Sequence, residues 1–567
     1  MRNQEIAEIF FEIADLLELQ NVQWKPRAYR NAAISIQALP QDIEELYRQK
    51  KLREIPGVGE NLGKKIIEII ETGKTGFLQE LRKKFPIDIE ALNKIPGLGP
   101  KKAMALYKKL GIKNVSDLKT AALKGKIASL KGFGEKTQEE ILKGISIAKE
   151  SKRMLLGIAL PSALQIKELI EKNSFVTEAE LAGSLRRRCE TIGDIDILVS
   201  SKNPEKTMNF FVSMKNVKKV LAKGTTKSSV LIENNLQVDL RVVSPEEWGS
   251  ALQYFTGSKQ HGIELRKIAQ KKGLKLSEYG VFKQKKIIAR KTEKQVYNAL
   301  GMDYIEPEMR EASGEIEAAQ KHALPELVKY SDIKGDFHMH SNYSDGKNSM
   351  EEMLSAVSIL GYEFCAITDH FRGPKIANSM GKKEILKQAS EIEKLRKKFP
   401  KLRIFHTCET DIDEKGEIAA DNEILKQLDF ACASIHTKFR LSEKEQTQRI
   451  IRAMENQFVK IICHPTGRKI FEREPIELDF EKVFESAKKN SVALEINAMP
   501  QRTDLNSANA RAAVKKGVVL SIGTDSHMKE HLRFMELGIG TARRAWAEKK
   551  DILNAWPLKK IEKFFEK

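Results

Sequence analysis

The chain has 567 residues, of which 41% are hydrophobic and 31% charged, and this composition suits a soluble globular protein of three to five domains at about 100–200 residues each. No apolar run approaches the length of about 20 residues that crosses a bilayer. The N-terminus (1–17) is amphipathic and partly acidic, unlike a secretion signal, so we expect a cytoplasmic protein without a membrane partner. The net charge of +20 favours a nucleic acid as partner, because Lys and Arg neutralise phosphates. Five cysteines without a CxxC pair argue against a disulfide framework.

Helical periodicity dominates the first part of the chain, and one short pattern recurs there: IPGVG (55–59), IPGLG (95–99) and KGFG (131–134). Glycines permit a tight positive-φ turn between two helices, after which backbone N–H groups at the start of the second helix can face an anion. The repeated pattern resembles the helix-hairpin-helix element, which binds DNA through its phosphates without reading bases. The DNA-binding glycines predicted in this way are Gly57, Gly59, Gly97, Gly99, Gly132 and Gly134.

The sequence around the first hairpin, KPRAYRNAAISIQAL followed by IPGVGENLGKKIIEII, resembles the N-terminal lyase domain of DNA polymerase beta. The resemblance implies that Lys65 is the amine that attacks an abasic sugar, and that Lys25 and Tyr29 line a 5′-phosphate pocket. Schiff-base chemistry requires a lysine that is partly neutral. The sequence departs from the family at Asn61, where a phosphate-binding lysine is usual, and this puts the lyase activity in doubt. The alternative is that Lys65 is an ordinary solvated phosphate contact.

Alternating, strand-like stretches begin near residue 180, at 178–183, 195–200 and 236–243. In such a strand Asp194 and Asp196 project to one face, and Asp239 lies on another alternating strand. Carboxylates this close repel one another unless a divalent cation joins them, and Mg²⁺ prefers carboxylates together with phosphate oxygens. We therefore predict two-ion phosphoryl transfer with Mg²⁺ or Mn²⁺.

Upstream, the pair Gly183-Ser184 predicts a tight turn whose donors can face phosphate, and Arg187 is close enough to clamp it. The order GS, RR, GDID and VDLR resembles the palm of the nucleotidyltransferase superfamily. The segment YFTGSKQHGIELRKIAQKKGLKLSEYGVF resembles polymerase beta over its whole length and implies a residue set that excludes a 2′-hydroxyl. The nucleotide-binding residues implied by both resemblances are Gly183, Ser184, Arg187, Gly193, Tyr254, Phe255 and Gly257.

The same resemblance implies that Arg266 contacts the template side of the minor groove. Two positions depart from the family. Gly262 stands where an asparagine usually contacts the incoming base, and Ile192 replaces a hydroxyl residue near the triphosphate. Both departures lower the expected speed and accuracy of synthesis but not the reaction class.

A polar, helix-prone stretch at about 306–334 separates this half from a second module that holds eight of the ten histidines. Seven apolar runs follow, most of them separated by helical patterns, and six of the seven carry His, Glu or Asp at their last or next-to-last residue. Alternating β and α units predict a parallel sheet or barrel whose active site lies at the strand ends. The runs are 335–340, 363–370, 402–409, 429–436, 459–465, 492–497 and 518–527.

His338 and His340 alternate on one strand face, as two ligands of one ion must. The whole pattern resembles the PHP (polymerase and histidinol phosphatase) domain, a distorted seven-stranded barrel with up to three metal ions. Imidazole with carboxylate suits Mn²⁺ or Zn²⁺. The ligands that the resemblance implies are His338, His340, Asp345, His370, Glu409, His436, His464, Asp525 and His527.

Together the resemblances describe the bacterial and archaeal form of family X DNA polymerase, a multidomain α+β protein. We expect a monomer that fills short gaps in DNA during base excision repair, using dNTPs, while the PHP site trims or unblocks 3′ ends. Two alternatives stay open: a nuclease with weak synthesis, and a non-enzymatic scaffold for DNA ends. The predicted parts are a lyase-like helical domain (1–87), further hairpins (88–150), a palm (151–243), a nucleotide-selecting domain (244–318), a linker (319–333) and a PHP nuclease or phosphoesterase domain (334–567).

Overall fold

The computed structural model divides the chain into two compact units, one of residues 1–152 with 471–473 and one of residues 153–470 and 474–567. Among the described residues, no helix is long and apolar enough to cross a membrane. The described residues are 2–19, 25–37, 43–55, 57–88, 91–92, 95, 98, 100–130, 132–135, 137–139, 141–142, 145, 153–233, 236–373 and 378–566.

The first unit is helical, as the sequence predicts. Its helices bury apolar side chains at helical spacing; Ile66, Ile69 and Ile70 are examples on one face of a single helix. These faces form one shared core. The described α-helices are Arg2–Leu19, Lys25–Gln37, Ile43–Arg48, Glu60–Thr72, Gly76–Lys84, Pro100–Leu110 and Val115–Leu123.

Two of the three predicted hairpins fall among the described residues. Gly57 and Gly132 have φ of 81° and 94°, in the left-handed region that favours glycine. Gly59 is extended instead and is the N-cap of the helix Glu60–Thr72. The positive-φ prediction therefore applies to the first glycine of the first hairpin and not to its second. Gly97 and Gly99 lie outside the described residues.

The second unit begins with the strands β1 (Met154–Leu155), β2 (Val176–Leu181), β3 (Thr191–Ile192), β4 (Ile195–Ser201), β5 (Lys219–Lys223), β6 (Lys227–Leu231) and β7 (Gln237–Val243). Five of them form a mixed sheet in the order β2-β4-β7-β6-β5, in which β4 and β7 are parallel. The helices Leu156–Glu171 and Pro204–Val212 pack against this sheet. β2, β4 and β7 are the three strands that alternation predicts. β5 is exposed at all five positions, so it has no alternation to detect.

A helical segment with a small antiparallel sheet follows. Buried Glu293 ties this segment to the preceding sheet domain, because its carboxylate accepts hydrogen bonds from Arg186 at 2.8 Å and Arg310 at 2.6 Å. The elements are the helices Trp248–Thr256, Lys259–Lys271, Glu293–Ala299 and Glu315–Gln320, and the strands β8 (Lys275–Ser277), β9 (Gly280–Lys283) and β10 (Lys286–Ala289).

The segment 319–333, which the sequence predicts as a linker, is packed into the second unit. Leu327, Val328 and Ile333 are buried in its cores. The backbone N–H of Val328 donates to the carbonyl of Ala547 at 2.9 Å. Although its composition is polar, this segment buries three apolar side chains. It is therefore part of the folded second unit and not a free linker.

The C-terminal part contains the strands β11 (Gly335–Asp336), β12 (Phe364–Ile367), β13 (His370–Phe371), β14 (Arg403–His406), β15 (Glu409–Asp411), β16 (Ala431–Ser434), β17 (Val459–Ile462), β18 (Ala493–Asn497) and β19 (Leu520–Gly523). They are all parallel and form two sheets, β11-β12-β14 and β13-β15-β16-β17-β18-β19. A parallel bridge between Met339 and Ser526 joins the first and last runs. The predicted runs 363–370 and 402–409 are each split into two strands, so the barrel is distorted, as the PHP resemblance implies.

Helices surround these strands, and aromatic rings fill one end of the barrel. Phe430 stacks on Phe565 with ring centroids 3.9 Å apart, and Phe337, Phe364 and Phe405 lie in the same cluster. The α-helices are Met350–Ile359, Lys382–Lys398, Asn422–Leu425, Glu443–Met454, Phe480–Lys489, Ser507–Lys516, Met535–Arg544 and Leu558–Phe565.

Candidate active site and metal centre

Three aspartates converge on the sheet of the first half. Asp194 precedes β4, Asp196 lies in β4, and Asp239 is its registered neighbour on the parallel strand β7. One oxygen of each carboxylate lies within 4.8 Å of the other two. Three hard oxygen ligands at this spacing suit a divalent cation.

The three carboxylates have unequal proton affinities. Burial, together with repulsion from Asp194 and Asp239, raises the pKa of Asp196 to about 7. Burial also acts on Asp239, but hydrogen bonds from Lys227, Gln237 and Ser229 outweigh it and lower the pKa of that carboxyl. One proton is therefore held on Asp196 near neutral pH until a cation offsets the repulsion.

Lys227 is a site residue that the sequence does not reveal. Its ammonium lies 2.7 Å from Asp239 Oδ2, and Gln237 donates to Asp239 Oδ1 at 2.8 Å. Lys227 belongs to β6, which pairs with β7 so that Ser229 lies opposite Asp239. Only this strand pairing brings the lysine to the carboxylate, so no local motif could have identified it.

Gly183 stands directly against the aspartates. Its φ is 57°, and a Cβ at this position would lie 2.1 Å from Asp196 Oδ2. Gly183 and Ser184 open the short helix Gly183–Arg186, whereas the sequence predicts a tight turn there. The glycine is required by both its backbone conformation and the close approach of a carboxylate.

Arg187, the predicted phosphate clamp, already has protein partners. Its Nε lies 3.0 Å from Glu311 Oε1, and its Nη1 donates to the carbonyl of Thr256 at 2.6 Å. Gly193 sits in the short link between β3 and β4. Ile192 is fully buried in the palm core, so its apolar side chain does not face open solvent.

The YFTGS segment presents its aromatic rings beside this site. Tyr254 is 40% exposed, and its ring centroid lies 5.1 Å from that of Phe255. The guanidinium of Arg266 lies 5.9 Å from the Tyr254 centroid. Gly257 has φ of 72°, and a Cβ there would lie 3.1 Å from Arg187 Nη1. A Cβ at Gly262 would lie 3.3 Å from Arg266 Nη1, so the missing side chain leaves room for that arginine.

In the first unit, Lys65 and Tyr29 both contact the ring of Phe77. The ammonium of Lys65 lies 4.4 Å from the ring centroid, and Tyr29 stacks at 6.3 Å. Tyr29 is only 6% exposed, and burial raises its pKa to about 12, so it is mainly a core residue. Lys25 and Asn61 are exposed.

The nine predicted PHP ligands meet at the carboxyl ends of the barrel strands. Glu409 is central: His464 Nε2 lies 2.9 Å from its carboxylate, and His370 Nδ1 lies 3.1 Å from it. The other imidazoles and carboxylates surround this group at comparable range. Further pairs include His338–Glu409 at 3.5 Å, His340–Glu409 at 3.6 Å, His436–Glu409 at 3.4 Å, His340–Asp525 at 3.3 Å and His527–Asp345 at 3.3 Å.

The donor set fits bound cations. Glu409 Oε2 and His464 Nδ1 are buried without a hydrogen-bond partner. His338, His340 and Asp525 share one cluster whose ligand atoms lie within 4.8 Å, and His370, Glu409 and His436 form another. Buried polar atoms without partners are costly, and a metal ion would satisfy them.

A second layer of side chains orients these ligands. His338 Nδ1 lies 2.7 Å from Glu495 Oε1, and His436 Nδ1 contacts the carboxylate of Asp411. Such contacts hold the ring and leave the other nitrogen for a metal. Neither Asp411 nor Glu495, which lies mid-strand in β18, is among the ligands that the PHP resemblance implies. The sequence does not identify Arg502 either; its Nε lies 3.2 Å from Asp525 Oδ2.

The pKa values in this centre diverge. Burial opposes charging, but Glu409 and Asp411 raise the pKa of His436 to about 9, and Asp345 and Asp525 raise that of His527 to about 9. Burial lowers the pKa of His464 to about 3. Positive imidazoles hold the pKa of Glu409 well below its usual range, despite burial. His436 and His527 therefore hold protons at neutral pH that a bound cation would displace.

Four family models match the chain. The "Helix-hairpin-helix domain" matches residues 1–75, and the "SAM-like Helix-hairpin-helix tandem" matches 89–146. The "DNA polymerase beta thumb" matches 251–311, and the "PHP domain" matches 336–498. These matches confirm the predicted fold class.

Three curated proteins are similar to different extents. The chain is 37% identical, over all of both chains, to the DNA polymerase/3′-5′ exonuclease PolX of Bacillus subtilis. It is 23% identical to the DNA polymerase lambda of Rattus norvegicus over 54% of this chain and 56% of that protein. It is 29% identical to a probable phosphatase of Caldicellulosiruptor bescii over 36% of this chain and 84% of that protein. The last two similarities cover only part of this chain, whereas the first covers all of it.

Proposed function

The chain belongs to the PolX family of family X DNA polymerases, and from this premise we propose that it fills short DNA gaps at the aspartate site and shortens 3′ ends at the PHP centre. The observation that supports the proposal is that one chain carries two separate ligand sets: three converging carboxylates and nine converging imidazoles and carboxylates. DNA and dNTPs are the corresponding substrates.

At the first site the protein residues position the reactants. Asp194, Asp196 and Asp239 would hold Mg²⁺ or Mn²⁺, which supplies charge neutralisation and makes a primer 3′-hydroxyl easier to deprotonate. Arg187 binds the triphosphate through charge-assisted hydrogen bonds. The ring of Tyr254 is exposed, and we assign it to contact with the incoming sugar, as the family resemblance implies.

At the PHP centre the nine ligands would hold up to three Mn²⁺ or Zn²⁺ ions, which supply Lewis acidity for the attack of water on a phosphodiester. Glu495 and Asp411 keep His338 and His436 in the orientation that such binding requires. Arg502 lies at the edge of this centre and can bind a phosphate oxygen. The substrates we propose are DNA 3′ ends and abasic sites.

A gapped duplex assay with and without dNTPs tests the division between the sites. Asp239→Ala should abolish extension and leave degradation, and His338→Ala should do the reverse. Normal extension by Asp239→Ala would refute the polymerase assignment. Degradation that survives in His338→Ala would refute the nuclease assignment.

A nuclease with weak synthesis is a second candidate, favoured by Gly262 and Ile192. In that case the double variant Asp194→Ala/Asp196→Ala would still complete most gap processing. A scaffold for DNA ends would bind gaps without turnover in Mg²⁺ or Mn²⁺.

We also propose that Lys65 has 5′-deoxyribose phosphate lyase activity. The proposal is supported by the family resemblance, which puts Lys65 at the position of the attacking amine, and by the contact that holds its side chain 4.4 Å from the Phe77 ring centroid. Borohydride trapping of an abasic substrate on wild type, but not on Lys65→Ala, would support the lyase. Equal trapping on both would assign the activity elsewhere.

A further inference from the structure

We propose that the PHP half of the second unit (334–567) supplies a positioning residue for nucleotide binding in its polymerase half (153–318). Arg544 holds Arg187 in place and keeps the charge of Arg187 available to the triphosphate. This inference rests on the proposed role of Arg187. It concerns a contact within the second unit that neither ligand set requires.

Arg544 is the last residue of the helix Met535–Arg544 and reaches into the loop that carries Arg187. Its Nη1 donates to the backbone carbonyl of Arg187 at 2.8 Å and to Glu311 Oε1 at 2.9 Å. Arg187 Nε lies 3.0 Å from the same Glu311 oxygen. The three side chains are between 13% and 30% exposed, so water screens them only partly.

Sharing one carboxylate between two arginines has an electrostatic consequence. If Glu311 faced Arg187 alone, the pair would be neutral and the carboxylate would compete with an incoming triphosphate. With Arg544 present, the trio keeps a net charge of +1 close to the nucleotide site. Charge-assisted hydrogen bonds of this kind are about twice as strong as neutral ones.

Two further contacts anchor the same loop to the PHP half. Arg188 pairs with Glu536 at 2.7 Å, and Glu190 pairs with Arg468 at 2.6 Å. A Cβ at Gly540 would lie 3.0 Å from the Arg188 Cβ, so the helix backbone approaches the loop directly. Arg544 Nη1 also lies 3.4 Å from Cys189 Sγ, so the loop is held from the PHP side at all four consecutive residues from Arg187 to Glu190.

The test measures steady-state extension of gapped DNA by the full chain at varied dNTP concentration. Arg544→Met should raise KM for dNTP about tenfold, the size expected for a lost charged hydrogen bond, with kcat within about twofold. Exonuclease activity should be unchanged. Glu536→Gln is the matched control, because it removes the charge from another contact between this helix and the loop without touching Glu311, and its KM should stay at the wild-type value.

Rescue separates positioning from mere stabilisation of the interface. In Arg544→Met/Glu311→Gln the competing carboxylate is gone, so KM should return to within about threefold of wild type. Arg544→Lys should be intermediate, and Glu311→Gln alone should have KM at or below wild type. If Arg544→Met does not fold, the KM values of Arg544→Lys and of Glu311→Gln alone still test the inference.

The possible failures are distinct. An unchanged KM in Arg544→Met, a KM increase that Glu311→Gln does not rescue, or a parallel loss of extension and exonuclease would each overturn the inference. If wild type itself does not extend primers, the proposed polymerase function fails instead.

Discussion

The two ligand sets of the second unit differ in how much protein surrounds them. Asp196 and Asp239 lie on two neighbouring interior strands of a sheet, and Asp239 is held by a half-exposed lysine. The PHP ligands lie deep at the end of a barrel: His338, His340, His464 and Glu409 are at most 1% exposed. Glu495 contacts His338 and Asp411 contacts His436, and these contacts fix the two imidazole rings.

This difference follows from the number of metal ligands that the substrate itself supplies. A nucleotide carries phosphate oxygens that complete the coordination of Mg²⁺, so the aspartate site needs few ligands and must stay open. A PHP-type centre has to retain its ions between turnovers, and this requires many ligands and fixed rings.

Gly523→Ala should damage the PHP centre most. A Cβ there would lie 2.0 Å from Glu495 Oε1 and 2.5 Å from the His338 Cβ, in a site without free space. Displacing the ring by about 1 Å should reduce exonuclease activity about 100-fold, and overpacking should cost about 1–3 kcal/mol of folding free energy. Primer degradation and thermal unfolding measure both effects. Extension by the same preparation is the internal control, and a fully active exonuclease would show that the centre is looser than the structure indicates.

Gly183→Ala is the corresponding change in the aspartate site. Its Cβ would displace the carboxylate of Asp196, and the new side chain would be strained at φ of 57°. Extension should fall about 100-fold while exonuclease activity is retained. Single-turnover extension measures the effect. Loss of both activities would mean that the change unfolds the unit rather than moving one ligand.

Metal binding should depend on pH more steeply at the PHP centre. The pKa of Asp196 is raised to about 7, so below that pH one proton must leave when a cation binds, and affinity should fall about tenfold per pH unit. The pKa values of His436 and His527 are raised to about 9, and that of His338 is raised as well, so at least two protons must leave, and affinity should fall at least about 100-fold per unit below pH 9.

Calorimetric Mn²⁺ titration between pH 6 and 8 checks this difference. His338→Ala isolates the aspartate site, and Asp194→Ala isolates the PHP centre. Equal slopes of log Kd against pH would contradict the assignment of the retained protons.

Glu495→Gln should have the smallest effect. The amide keeps a contact with His338 but loses the charge that makes the imidazole a better ligand. Metal affinity should fall about 30-fold, with activity restored by excess Mn²⁺. Activity measured against Mn²⁺ concentration tests this, and an irreversible loss would point to a structural role instead.

Much of both sites could be predicted from local pattern. Because successive side chains of a strand point to opposite faces, Asp194 and Asp196 are predicted to share one face. The positions of His338, Glu409 and His464 at strand ends predict that they meet at one end of a barrel. These features follow from backbone geometry, which repeats every two residues and places the carboxyl ends of parallel strands together.

Other features could not be predicted locally. Lys227 reaches Asp239 only because β6 pairs with β7, and Glu495 reaches His338 across 157 residues of chain. The segment 319–333 looks polar, yet its few apolar residues are buried.

The sequence alone thus determined the ligand types and the strands that present them, because each depends on neighbours within a few residues. Only the tertiary structure decided which side chains hold those ligands and that Arg544 meets Arg187 across 357 residues. Contacts of that kind arise from how separate layers pack, and packing leaves no periodic trace in the chain.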